Sequence, residues 1–360
     1  MKRAAGLFLL LVLVCLSACK KDNINPMHTG EVYLDHSTDI AIALQNLQNS
    51  SNHLWPNTAW WISANTMDAM IDYGKNSGND LSITCKQIYD ANQLYQYGGF
   101  KTTSYDDCAW WALAWIKAYD QYGDAKYLAT AQDIFAYMAT GGWDSVCGGG
   151  MNWQNTRRYK NAITNELFIL LAARLSGRQT DPVEKAYYLD WSLTGWGWLN
   201  QSGMLNGSNL FNDGLNTSCN NNNETTWTYN QGVILAGLKE LSSLTENPQY
   251  LQTAHQLALA SMNKLSDANN VLTEPCRQDC NEDGYQFKGI YIKYLSELNT
   301  VLKDTVIKNY IVHNAATAWQ SDQNSQHLFD GSWQGPFVVW SCSSTSSALN
   351  LMNAATIQLR

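Results

Sequence analysis

Charge is scarce in this chain. Only 15% of its 360 residues are Asp, Glu, Lys or Arg, against roughly 25% in an ordinary globular protein. The basic residues form no run, and 23 Lys and Arg against 31 Asp and Glu leave a formal net charge of -8. Holding a phosphate backbone requires positive charge gathered on one face, so nucleic acid is excluded as a partner. Histidine is equally thin, and none of its six copies shows His-x3-His or another metal-ligand spacing; no metal or cofactor is expected. Strand-like alternation is rare as well, which argues against a β-rich fold. The polarity that is present comes from Asn, Gln, Ser and Thr and from the edges of 15 Trp and 19 Tyr. Such a surface suits neutral, hydroxyl-rich ligands, and 45% hydrophobic residues are enough for a sizeable core.

Lys2 and Arg3 precede an apolar run from Ala4 to Leu16. The run is too short to span a bilayer as an ordinary helix and reads as a secretory signal, a buried N-terminal helix being the alternative. It ends in Leu16-Ser17-Ala18-Cys19, which resembles the processing box of bacterial lipoproteins. The resemblance implies a signal peptide over 1–18, a lipidated Cys19 with a tether over 19–34, and a globular domain over 35–360. The expected location is the periplasmic face of an outer membrane or the cell surface. Cleavage leaves 21 basic against 31 acidic residues, so attachment would rest on the lipid rather than on attraction to anionic headgroups. Cys85, Cys108, Cys147, Cys219, Cys276, Cys280 and Cys342 remain. Their odd number leaves at least one thiol unpaired in the monomer expected here.

From Asp35 onward apolar residues recur at i, i+3, i+4 and i+7 in segments divided by Gly, Asn, Asp and Pro clusters. The segments run over 36–50, 59–74, 79–95, 105–122, 124–140, 160–177, 180–201, 226–244, 247–265, 284–300, 302–321 and 342–359. They predict twelve helices in one all-α domain, paired antiparallel and packed in rings around one core. Unusual polar and aromatic clusters fall at the start of even-numbered helices: Trp60-Trp61, Tyr105-Asp106-Asp107, Lys160-Asn161 with Asn165-Glu166, Trp227 to Gln231, and Phe287-Lys288. If consecutive helices are antiparallel, these starts share one face with the long connections. That face is where a cleft is expected.

Within it, Asp106-Asp107 is the sharpest local feature. Adjacent carboxylates at a helix start repel one another while both sense the positive end of the helix dipole, so their pKa values can be driven apart. Neighbouring side chains can hold carboxyl groups on the order of 5 Å apart, the separation of a retaining glycosidase; inversion would need a more distant partner. The pair alone also fits an N-cap acid followed by a first-turn acid. The aromatic company favours a sugar site.

The order Tyr105-Asp106-Asp107 with Trp110-Trp111, Lys160 to Phe168, Thr228 to Gly232, and Phe287-Lys288-Gly289-Ile290 resembles glycoside hydrolase family 76, the endo-acting α-1,6-mannanases. The resemblance covers nearly the whole chain beyond the leader. It implies an (α/α)6 barrel, α-1,6-mannan or manno-oligosaccharides as partner, Asp106 as nucleophile and Asp107 as acid/base. It also implies cleft roles for Trp60, Trp61, Tyr105, Trp110, Asn161, Asn165, Glu166, Tyr229, Asn230, Gln231 and Lys288.

Other features read more plainly. Asp279 to Gly284 matches the first six positions of a calcium loop, but Ile290 stands where a bidentate Glu is expected, so a polar turn is the expectation. Cys276 and Cys280 lack the second pair that a zinc site needs. Trp196 and Trp198 suit packing on the barrel's outside, whereas Trp143, Trp153 and Trp333 lie in connections expected over the cleft. Two further readings stand beside hydrolysis. A non-catalytic glycan-binding lipoprotein would share the aromatic cleft but have no use for paired acids. A uronyl hydrolase or sugar epimerase would call for clustered Arg and Lys or for histidines at the mouth.

Overall fold

The structure is a computed structural model that describes residues 26–156, 158–276 and 280–360. The expected leader, Cys19, and Asp279 of the calcium-like stretch lie outside the described residues. Twelve α-helices and no β-strand occur among the described residues: α1 (Pro26–Leu47), α2 (Trp60–Ser77), α3 (Ser82–Asn92), α4 (Tyr105–Tyr122), α5 (Ala125–Gly141), α6 (Ala162–Ser176), α7 (Pro182–Gln201), α8 (Thr228–Thr245), α9 (Gln249–Lys264), α10 (Glu282–Leu302), α11 (Thr305–Ser321) and α12 (Cys342–Leu359). Each expected segment is found.

One boundary differs by more than about three residues. Helix α1 begins at Pro26, ten residues before the expected start at 36, and takes in residues 26–34 of the expected tether. Gly30 lies against the backbone of Leu359, and Tyr33 is buried. Gly30, Tyr33, Ser37, Ile40, Ala41 and Leu44 make one buried stripe. Its first turns carry Gly and Ser where periodicity would look for apolar side chains, so the helix is held by α12 rather than announced by hydropathy.

The even helices close a ring, with α2 packed on α4, α4 on α6, α6 on α8, α8 on α10, α10 on α12 and α12 back on α2. Outside it, α1 leans on α2 and α12, α5 on α4 and α6, α7 on α6, α9 on α8 and α10, and α11 on α10 and α12. This is the (α/α)6 barrel. Inner helices are enclosed on all sides: every residue of α6, and of α12 from Cys342 to Thr356, is buried. Small residues permit the tight ring. A methyl placed on Gly232 would stand 2.6 Å from Cα of Tyr291, a clash no neighbouring backbone can relieve cheaply. The outer helices α5, α7 and α11 start at Asp124, Asp181 and Asp304, whose carboxylates accept from first-turn amides.

The connections alternate in length. Even-to-odd links are turns such as 123–124 and 303–304, while odd-to-even links span 48–59, 93–104, 142–161, 202–227, 265–281 and 322–341. The long links therefore gather over the N-termini of the inner helices, as antiparallel pairing requires. Of the cysteines, Cys147–Cys219 joins two of these links and Cys276–Cys280 closes a third, while Cys85, Cys108 and Cys342 are buried free thiols.

Candidate active site

The N-termini of α2, α4, α6 and α8 carry no cap from their own N-cap side chain, and they open into a cleft of about 600 Å³. Trp61 comes from α2, Asp106, Asp107 and Trp110 from α4, Asn161 from the start of α6, Trp227 and Tyr229 from α8, and Asp283 and Phe287 from α10. The loops add Trp153, Tyr159, Asp213, Glu224 and Thr225. On α4 the i, i+4 spacing sets Asp106 and Trp110 on one face. Tyr229 stacks on Phe287 with ring centroids 3.8 Å apart, and Trp61 packs against Trp110 at 5.8 Å with the rings inclined by 29°. Flat apolar faces thus line a hollow whose polar edges are carboxyl, amide and hydroxyl groups.

The described lining includes five acids, Asp106, Asp107, Asp213, Glu224 and Asp283, and no Lys or Arg. Such a field repels anionic ligands, which disfavours a uronic-acid substrate. The two adjacent aspartates differ in their partners. Asp106 accepts from the backbone N–H of Asp107 (3.0 Å) and from Nε1 of Trp153 (2.9 Å), whereas Asp107 takes no side-chain hydrogen bond from the described residues. Burial raises both, against the helix dipole. For Asp106 the two donors limit the rise to about 7. Asp107, beside the charges of Asp106 and Asp283, is pushed well above the ordinary carboxylate range. Around neutral pH the arrangement can therefore hold one ionised and one protonated carboxyl side by side. Asp283 accepts from Nε1 of Trp61 at 3.0 Å, and burial raises it too.

Residues 39–360 match the model of Glycosyl hydrolase family 76. The chain belongs to this family. Among curated proteins it resembles mannan endo-1,6-alpha-mannosidase DCW1 of Candida albicans at 28% identity, over 85% of this chain and 74% of that one. It resembles DCW1 of Candida glabrata at 27% identity, over 68% of this chain. The match spans only 59% of the length of the Candida glabrata protein. Among solved structures, the GH76A alpha-1,6-mannanase of Salegentibacter sp. HEL1_6 superposes with a TM-score of 0.82 at 22% identity, covering 91% of this chain and 99% of that one. A variant of that protein with two consecutive aspartates replaced is called inactive and was solved with alpha-1,6-mannotetrose.

In this family 76 member the residues singled out in the sequence divide into two groups. Trp61, Asp106, Asp107, Trp110, Asn161 and Tyr229 meet at the cleft. The others stand behind its wall, and their expected cleft roles are corrected here. Trp60 stacks on Tyr95 at 3.9 Å and packs against Trp111. Tyr105 is 1% exposed and turns toward Tyr137. Asn165 brackets Met151, accepting from its N–H at 2.7 Å and donating to its carbonyl at 3.1 Å. Gln231 holds Phe211 in the same way, at 2.8 and 2.9 Å. Each is the fourth residue of its helix, and each fastens the long loop that precedes that helix. Glu166 and Asn230 are fully buried, with carboxyl and amide atoms unbonded by the described residues. Burial raises Glu166 well above its ordinary range, and its carboxyl lies near enough to the cleft residue Tyr229 to act on the tyrosine's hydroxyl. Lys288 faces a different cavity altogether.

Of Trp143, Trp153 and Trp333, Trp153 reaches the cleft. Trp143 packs against Trp191 and Trp198, and Trp333 is buried beneath Lys288. Trp198 covers Gly150 and donates Nε1 to the carbonyl of Cys147 at 3.0 Å. Asp213 and Asp283 were not expected at the site. Asp213 accepts from the hydroxyl of Tyr159, and only the folding back of 202–227 brings it there. Asp283 was read as part of a polar turn. Its proximity to Phe287 at i+4 was the available signal.

Proposed function

We propose that this protein hydrolyses α-1,6-mannosidic linkages inside mannan chains with retention of configuration, using Asp106 as nucleophile and Asp107 as acid/base. The observation that carries this reading is the unequal treatment of two adjacent half-buried carboxyls, two N–H donors on Asp106 and, among the described residues, none on Asp107. The names of the curated relatives and the inactive double-aspartate variant of the Salegentibacter enzyme support it. Asp106 attacks the anomeric carbon while Asp107 gives its proton to the departing O6 of the next mannosyl unit. A covalent mannosyl-enzyme with inverted configuration results. Asp107, now a carboxylate, takes a proton from water as the water oxygen displaces Asp106, and the second inversion restores the α anomer. Trp61, Trp110, Tyr229 and Phe287 supply stacking faces for pyranose rings, and Asn161 supplies a neutral hydrogen-bonding edge.

Incubation with linear α-1,6-mannan tests the reading. Size separation should show intermediate oligosaccharides before mannose, and NMR should show the α anomer first. An unchanged polymer length would instead favour a glycan-binding protein, and mannose alone would mark an exo enzyme. On the same footing, residues 1–18 are proposed as a lipoprotein signal and Cys19 as the lipidated N-terminus, holding a monomer on the periplasmic face of an outer membrane or on the cell surface. Incorporation of labelled palmitate in the wild type, lost in Cys19→Ser, would support the anchor.

A further inference from the structure

Lys288 is adjacent to a cleft residue but does not serve the cleft. Along the first turns of α10, Asp283 and Phe287 face the cleft while Tyr285 and Lys288 face a second cavity of about 720 Å³. The same partition holds at α8. Trp227 lines the cleft, and the next residue, Thr228, donates its backbone N–H to Glu274 of the second cavity at 3.0 Å. Links 142–161 and 202–227 overhang the cleft and links 265–281 and 322–341 overhang the second cavity, so the two hollows lie on the same face of the barrel, parted along the first turns of α10.

The second hollow combines buried polar groups with an exposed apolar rim. Lys288 is 2% exposed, donates to the carbonyl of Ser332 at 2.9 Å, and has no carboxylate within ion-pair distance among the described residues. Glu274 is 4% exposed. Lining the same cavity is an apolar rim. Val338 and Val339 are 75% and 56% exposed, and their backbone amides are held by the carboxylate of Asp330 at 3.0 and 3.4 Å. A polar floor beneath an apolar wall matches a pyranose, with hydroxyls on its edge and C–H groups on its face. Burial raises Glu274 to about 8, so Lys264 and Lys288 are matched by Asp267 and Asp330 and the lining carries little net charge around neutral pH, which suits a neutral ligand.

We propose that this cavity receives a neutral sugar branching from the glycan whose backbone lies in the cleft, and so sets which side-chain-bearing mannans are accepted. The inference rests on the mannanase reading of the cleft and adds a second contact point to it. Relative kcat/KM on linear α-1,6-mannan and on α-1,6-mannan carrying single mannosyl branches tests it, comparing wild type with Val338→Ser/Val339→Ser. These exposed side chains are not part of the core. The variant should lose about tenfold on branched polymer while staying within about twofold on linear polymer. A branched-to-linear ratio that does not change, or a wild type that cleaves linear mannan alone, overturns the proposal. Binding of methyl α-mannoside with the cleft saturated by linear mannotetraose reads the pocket directly, whether or not either polymer is cleaved. The wild type should bind and the double variant should not; equal binding by both, or by neither, overturns the assignment.

Discussion

The indole nitrogen of Trp153 lies 2.9 Å from Oδ2 of Asp106 and donates to it, while the neighbouring carboxyl of Asp107 receives no such bond from the described residues. A loop residue 47 positions away in sequence thus separates two otherwise equivalent acids. The N–H stabilises the ionised form of Asp106, and nothing comparable does so for Asp107.

Replacing either acid should abolish cleavage in different ways. Asp106→Asn and Asp107→Asn should each cost about 10³-fold or more in kcat on mannan. An aryl mannoside whose leaving group needs no proton should be spared by Asp107→Ala and not by Asp106→Ala. Equal losses on the aryl substrate would remove the distinction between nucleophile and acid.

The activity profile should be bell-shaped. Its acid limb reports ionisation of Asp106 at about 7, and its alkaline limb reports loss of the proton from the more strongly raised Asp107. Trp153→Phe removes one donor from Asp106, so the acid limb should move to higher pH and kcat below it should fall about tenfold. An unmoved limb would detach Trp153 from the chemistry.

Stability should carry the same signature. Asp106 titrates at about 3.9 in an unfolded chain and at about 7 in the folded one. Its contribution is fully present below the lower value and is lost as pH rises through the upper one. Asp106→Asn escapes that loss, so its Tm should gain a few degrees on wild type between about pH 4 and about pH 8. Thermal scans across that range would show a constant difference if the carboxyl were freely solvated.

Loop anchoring should separate from substrate contact. Asn165→Ala and Gln231→Ala each remove two or more buried hydrogen bonds, at a cost of about 2–4 kcal/mol. Denaturant melts should show the loss while KM stays within about twofold; Tyr229→Ala, which removes the ring stacked on Phe287, should lower stability and also raise KM severalfold.

Removing the bridge between Cys147 and Cys219, which are 72 residues apart, should lower stability by roughly 2–4 kcal/mol. It frees the loops that present Trp153, Tyr159 and Asp213, so activity should fall at temperatures well below the melting transition. Parallel activity and melting curves for Cys147→Ser/Cys219→Ser would show that the bridge acts on stability alone.

The amino-acid sequence by itself determined the number and order of the helices, the alternation of short and long connections, and the acid pair at the head of α4. Those features are local, set by apolar spacing, breakers and helix-start chemistry. Tertiary structure alone decided which member of each neighbouring pair faces the cleft: Trp61 and not Trp60, Tyr229 and not Asn230, Phe287 and not Lys288. Successive helical residues point about 100° apart, and an inner helix buried all round, as α6 is, has no polar side to mark its orientation. Only closure of the ring sets that rotation. Only the folded loops bring Trp153 and Asp213 to the aspartates, and only the fit of Gly30 against Leu359 extends α1 back to Pro26.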